Sequence, residues 1–265
     1  MADPPPITAE EFARLCDFLY RRTGMTFTET KRYYVDRRAA ERMAATRSST
    51  FASYFARLRG DVGHEVEHFI NAFTVNETYF YREEHQLQCL TSEMLPERVR
   101  DGRKAIRIWS APCSTGEEPW SVAIWLLENW PLVDQYEIEI IGSYINTAAL
   151  QACAQGEFGK RALMRLTEDL VTRYFVALGT ERWRLIDALR ESVQFTRVNL
   201  IDAADVRAQG RFDVIFCRNM LIYFDDASRR VAAENLFESL LPGGFLCLGH
   251  TESMSRISPL LDFHC

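Results

Sequence analysis

Two adjacent carboxylates, Glu117 and Glu118, follow the small-residue loop Ala111-Pro112-Cys113-Ser114-Thr115-Gly116, which leaves the apolar run Ile106-Arg107-Ile108-Trp109. That run is short and rich in β-branched residues, the composition of a strand covered on both faces. In the loop, Ser114 and Thr115 can cap orphan amides, Gly116 permits a tight turn, and Pro119 suits a first helical turn. Val122, Ile124, Trp125 and Leu127 then recur at helical spacing. A strand that feeds a helix through such a loop forms the ligand-binding corner of an open α/β sheet. Two acids where a phosphate would sit argue for a ligand with a cationic group instead. An ordinary strand-to-helix turn is the competing reading.

Two other segments carry groups suited to ligand binding. Thr74-Val75-Asn76-Glu77-Thr78-Tyr79-Phe80-Tyr81-Arg82 gathers amide, hydroxyl, aromatic and guanidinium groups, and an arginine there could grip a carboxylate through two parallel hydrogen bonds. Phe212-Asp213-Val214-Ile215-Phe216-Cys217 reads as a buried strand whose C-terminal edge presents Arg218, Asn219 and Tyr223. His64-Glu65-Val66-Glu67-His68 matches the zinc-peptidase pattern H-E-x-x-H in letters. The charged Glu67 between the histidines and the lack of a clear third ligand favour a polar helix face, so no metal is expected.

The elements that position these groups fall into two blocks. Residues 1–75 read as all-helical, opening with the capping box Thr8-Ala9-Glu10-Glu11 and the apolar stripe Phe12, Leu15, Cys16, Leu19 and Tyr20. A second helix over Glu29–Thr46 carries Lys31, Arg32, Arg37, Arg38 and Arg42 against Asp36 and Glu41, an excess that fits either an acidic partner or a solvated face. Residues 76–105 link to a block over 106–265 in which strands and helices alternate, the signature of a parallel, doubly wound sheet. Within it, residues 157–198 break the alternation, and Trp183–Ile186 and Val193–Val198 are read as strands of a small antiparallel insertion.

The net charge of −6 disfavours a bulk nucleic-acid binder. No apolar run reaches the ~18–20 residues that span a bilayer. The start, Met1-Ala2-Asp3-Pro4-Pro5-Pro6, lacks the basic and apolar regions of a signal peptide, and seven scattered cysteines fit free thiols in a reducing cytoplasm.

Taken together, Asn76 to Arg82, Ser114 to Pro119, Cys217 to Phe224 and Gly243 to Ser253 resemble the CheR-type chemotaxis receptor methyltransferases, in that family's order. The resemblance implies a Rossmann-like class I methyltransferase domain with an inserted β-subdomain, behind an all-helical N-terminal domain. It also implies S-adenosylmethionine as methyl donor, S-adenosylhomocysteine as product and receptor glutamates as acceptors. Asn76, Thr78 and Arg82 would line the cofactor pocket, with Arg82 reaching its carboxylate. Glu117 would take the ammonium group, Asn199 and Leu200 would flank the adenine, and Arg218 and Asn219 would close the pocket. Tyr223 would sit near the transferred methyl, making it and Arg82 the catalytic pair. The basic helix would face the cytoplasmic methylation region of a chemoreceptor, with the enzyme acting as a monomer.

Three departures stand out. Tyr144, in Ile141-Gly142-Ser143-Tyr144-Ile145-Asn146, occupies the place where the family has a ribose-binding acid, so a weakened enzyme or a cofactor-sensing scaffold is the alternative. The hairpin around Gly179-Thr180-Glu181-Arg182 looks short beside that of members that bind a receptor's C-terminal pentapeptide, which points to a pentapeptide-independent enzyme. The family's last antiparallel strand should be starting at Cys265, so the chain is expected to be part of a longer protein. A hydrogen bond to a charged group contributes about 1.5–3 kcal/mol, so Tyr144→Asp should tighten S-adenosylmethionine binding by roughly one to two orders of magnitude in calorimetry. An unchanged affinity would remove Tyr144 as a cause of weak binding.

Overall fold

The computed structural model describes residues 7–100, 102–250 and 252. Thr8 opens α1 (Ala9–Thr23) with a reciprocal cap: its hydroxyl accepts from the Glu11 amide at 3.2 Å, while the Glu11 carboxylate accepts from the Thr8 amide at 2.8 Å. After a short turn at Glu29–Lys31 come α2 (Arg32–Ala45), α3 (Phe51–Arg59) and α4 (Glu65–Phe73). Their inner faces meet through aromatic edges, with the Phe18 ring 5.7 Å from Phe55 and 5.9 Å from Phe69.

The H-E-x-x-H segment has a structural explanation. His64 stands ahead of α4 in a left-handed conformation, and Glu65 turns inward. Its carboxylate accepts two hydrogen bonds from Arg42, at 2.9 and 2.7 Å, and one from the Tyr54 hydroxyl at 3.1 Å. Among the described residues, no group of three histidine, cysteine or acidic side chains is placed to hold a metal ion.

The second block runs α5 (Glu84–Cys89), a wider helical turn at Leu90–Met94, α6 (Leu95–Val99), β1 (Ala105–Ser110), α7 (Glu117–Asn129), β2 (Glu137–Tyr144) and α8 (Thr147–Gln155). Next come β3 (Glu157–Gly159), α9 (Glu168–Tyr174), β4 (Phe175–Ala177), β5 (Arg182–Leu185), α10 (Asp187–Arg190) and β6 (Val193–Arg197). It ends with α11 (Ala203–Arg207), β7 (Phe212–Cys217), α12 (Asp226–Glu238) and β8 (Leu240–Leu248). The main sheet is parallel in the order β6-β2-β1-β7-β8, so the chain winds outward from β1 to β6 and then returns to the other side of β1. This is a Rossmann-like, doubly wound sheet, with its ligand crevice at the strand ends beside the reversal. Every residue of β7 is buried, as a run apolar at all positions but one requires. Its one acid, Asp213, is held by Arg98 at 2.8 Å and by the Arg107 amide at 3.0 Å.

One sequence expectation is corrected. Val193–Arg197 does not belong to the insertion; it is β6, paired in parallel with β2. Its alternation of Val193 and Phe195 with Gln194, Thr196 and Arg197 comes from its place at the sheet edge, where only part of each face is covered. The inserted sheet is the antiparallel set β3-β5-β4. Phe80 anchors it, with ring centroids 4.9 Å from Phe158 and 5.3 Å from Phe175.

Polar contacts join the helical block to the sheet. The Tyr20 hydroxyl reaches Asp225 at 3.0 Å, Met25 bridges to Phe224, and Asn146 donates to Thr74 at 2.5 Å. Among the described residues, no helix is long and apolar enough to cross a membrane.

Breaking a buried ion pair by removing one partner costs about 3–5 kcal/mol, whereas an exposed pair is worth about 1 kcal/mol or less. Glu65→Ala should therefore lower the urea unfolding free energy by about 3 kcal/mol or more, and Glu41→Ala, on the exposed face of α2, by under about 1 kcal/mol. Equal losses would contradict the assignment of Glu65 as the buried anchor.

Candidate active site

The β1–α7 corner separates the two acids. Gly116 enters α7 at φ 97°, and a Cβ there would collide with the Trp120 ring, so glycine is required. Glu118 is already neutralised. It accepts from the Ser110 hydroxyl at 2.7 Å and from Arg218 Nε at 2.6 Å. Glu117 is 4% exposed, and its carboxylate accepts from the Thr115 hydroxyl at 2.6 Å. Among the described residues it takes part in no ion pair, and burial pushes its pKa above the ordinary carboxylate range. Ser114 and Thr115 do not cap the helix amides as expected: Thr115 serves Glu117, and the Ser114 hydroxyl is buried without a partner.

Beside this corner lies a narrow cleft. Ala111, Pro112, Ser143, Tyr144 and Ile145 border it from the ends of β1 and β2, Val198, Asn199 and Leu200 from behind β6, and Met220 from behind β7. Thr23 and Met25, at the end of α1, form the remaining wall. Tyr144 is 5% exposed and its hydroxyl donates to the Val75 carbonyl at 3.3 Å; burial raises its pKa. Asn199 donates to the Arg22 carbonyl at 2.7 Å, which ties this wall to the helical block.

The other site candidates lie around the cleft rather than in its lining. Arg82 is half-buried, donates to the Glu77 carbonyl at 3.0 Å and stands 5.8 Å from the Tyr79 ring centroid. The half-buried Tyr223 phenol is shifted up by burial, while the nearby Arg82 charge pulls the other way. Arg218 is almost wholly enclosed, held by Glu118 and donating to the Arg82 carbonyl at 2.8 Å, so it braces the site and does not border the cleft. Asn219 sits at φ 58°, and its amide joins those of Leu221 and Gly249 in donating to Glu252. Asn76 is exposed, Thr78 is half-exposed, and neither borders the cleft. Of the fourth motif, Thr251 and Ser253 lie outside the described residues, as does Cys265.

The basic helix carries less unbalanced charge than its sequence suggests. Arg32 pairs with Glu29 and Asp36, and Arg37 and Arg38 both pair with Glu41. Arg42 turns toward the helical core, where Glu65 holds it with two hydrogen bonds. Lys31 is exposed and in no ion pair among the described residues.

Residues 76–263 match the family described as CheR methyltransferase, SAM binding domain, and residues 10–74 match the CheR methyltransferase all-alpha domain. The chain belongs to the CheR methyltransferase family. It is 49% identical to chemotaxis protein methyltransferase 2 of Vibrio cholerae, over 97% of this chain and 90% of that one. Chemotaxis protein methyltransferase 2 of Pseudomonas aeruginosa is 36% identical over 96% of this chain and 90% of its own. The chemotaxis protein methyltransferase of Salmonella typhimurium is 33% identical over 93% of this chain and 84% of its own.

The cofactor of this CheR family member is S-adenosylmethionine, and the corner fits it. Glu117 offers a buried carboxylate with no cation of its own, and Met25, Leu200 and Met220 offer apolar surface for a flat base. Because burial raises the Glu117 pKa, ionising it costs stability as pH rises above the ordinary carboxylate range. A bound ammonium offsets that cost only when the carboxylate is charged. The rise in melting temperature caused by S-adenosylmethionine should therefore grow as pH increases from the ordinary carboxylate range toward neutrality, and Glu117→Gln should flatten the trend. A trend of opposite sign would exclude Glu117 as the ammonium site.

Proposed function

We propose that this chain methylates glutamate side chains of bacterial chemoreceptors from S-adenosylmethionine, producing glutamyl methyl esters and S-adenosylhomocysteine as part of sensory adaptation. The observation that carries the reading is Glu117, a buried carboxylate left without a cation at the crevice of a CheR-family sheet. It holds the cofactor's ammonium, and Arg82 holds its carboxylate. Asn199 and Leu200 border the adenine, while Asn76 and Thr78 approach from the preceding segment. Arg218 and Asn219 shape the far side through their own bonds to Glu118 and Glu252.

The sulfonium cofactor supplies a methyl activated by its own leaving group. A glutamate substrate is ionised at neutral pH, with a reference pKa near ~4.3, so no general base is required. The chain's task is to orient the carboxylate and exclude water, and orientation alone can be worth about 7–11 kcal/mol. Tyr223 stays a neutral phenol, because burial raises its pKa, and donates to the acceptor carboxylate. Arg82 supplies positive charge beside it.

The partner is the cytoplasmic methylation region of a chemoreceptor. The enzyme works in the cytoplasm as a monomer, with Lys31, Arg32, Arg37 and Arg38 facing that region. The short connection between β4 and β5, residues 178–181, supports independence from a receptor pentapeptide. A second reading, a cofactor-sensing or scaffold module, rests on Tyr144 standing in the cleft where the family has an acid.

Incubation with methyl-labelled S-adenosylmethionine and a receptor cytoplasmic fragment decides between them. The enzyme reading expects base-labile methanol release, reduced by about tenfold or more in Arg82→Ala and in Tyr223→Phe, since loss of an oriented donor costs roughly 1.4 kcal/mol or more. Cofactor binding without methanol release would leave the scaffold reading standing.

A further inference from the structure

Away from the cleft, the outer surface of α1 and α3 forms an open groove bordered by Arg14, Arg21, Arg22 and Arg59, with Asp17 as its one acid. Two of these arginines lie against aromatic rings. Arg14 sits 4.7 Å from the Phe55 ring centroid, and Arg22 sits 3.5 Å from that of Phe18. A guanidinium stacked on a ring is held in orientation and weakly hydrated, while its in-plane N–H groups stay available to a carboxylate. Among the described residues, Arg14, Arg22 and Arg59 are in no ion pair, and Arg21 has only an exposed one with Asp17 at 3.0 Å. Asp61 adds one further negative charge near Arg22. The contrast with α2 is direct, since Arg32, Arg37, Arg38 and Arg42 there are all paired within the chain. In a protein of net charge −6, this groove concentrates unpaired positive charge.

Spacing and position identify the occupant. Arg14 and Arg21 are seven residues apart on α1, about 10 Å along the axis at 1.5 Å per residue. A single small anion cannot span that distance, whereas a helix with carboxylates two turns apart can. The groove also adjoins the cleft wall along the chain: the Arg22 carbonyl accepts from Asn199, and the next residue, Thr23, borders the cleft.

We infer that the α1/α3 groove is a docking surface for an acidic helix of the protein substrate, which places its carboxylates on Arg14, Arg21, Arg22 and Arg59 while a neighbouring glutamate enters the cleft. This rests on the receptor-methylating reading above and assigns the grip on the substrate to α1 and α3 in addition to α2.

The test compares the full chain with the double variant Arg21→Glu/Arg59→Glu, whose side chains support no aromatic ring, and with Arg21→Lys/Arg59→Lys. Initial rates are measured against receptor-fragment concentration at two salt concentrations, with S-adenosylmethionine affinity and melting temperature alongside. Charge reversal should raise the KM for the receptor by about five- to tenfold and flatten its salt dependence, leaving kcat, cofactor affinity and melting temperature in place. The lysine pair should retain most of the affinity. An unchanged KM in an active enzyme overturns the groove alone, whereas a wild-type chain that methylates no receptor overturns the underlying reading. A loss of cofactor affinity in the double variant also overturns the groove, as does a nucleoside diphosphate bound by wild type and lost in the variant while the receptor KM stays the same.

Discussion

The Glu118–Arg218 ion pair is the constraint on which the site depends. It joins the corner after β1 to the edge after β7, and Arg218 then reaches the Arg82 carbonyl, so one guanidinium binds three segments distant in sequence. Its side chain is 4% exposed, and Glu118 also accepts from Ser110. A pair this enclosed owes its worth to completeness: each charge is unfavourable alone and acceptable only with its partner. With Arg218 committed to Glu118, Glu117 is left in no ion pair among the described residues. Two neighbouring acids thus acquire opposite fates, one closing the structure and the other opening it to a ligand.

Much of this architecture was legible from residue order. The β7 run is apolar at every position but Asp213 because both faces are covered, and the helices of the first block declare their caps and stripes locally. The error at Val193–Arg197 has a physical origin. An edge strand of a parallel sheet is partly exposed and acquires the polar alternation of an antiparallel hairpin, and only its pairing with β2 tells them apart. Long-range charge pairing was equally hidden. Arg42 and Glu65 are separated by 23 residues, and nothing local marks either as buried.

The candidate site was legible in its charged and polar members and silent in its walls. Glu117 announced itself by standing where a phosphate could not. Thr23 and Met25 carry no chemical signature, and they reach the cleft only because the end of α1 lies against the sheet. Ser143 and Met220 were passed over for the same reason: they supply surface, and surface has no motif.

The bond from Asn199 to the Arg22 carbonyl has a thermodynamic consequence. The helical block supplies one wall of the cleft through Thr23 and Met25, so a ligand seated there would touch both blocks. Whatever draws the helical block against the sheet sharpens the grip on the cofactor, and reciprocity requires the cofactor to return the same factor to whatever is doing the drawing. A protein that grasps α1 or α2 therefore holds the block that also walls the cleft, and any coupling between the two sites would have to act equally in both directions.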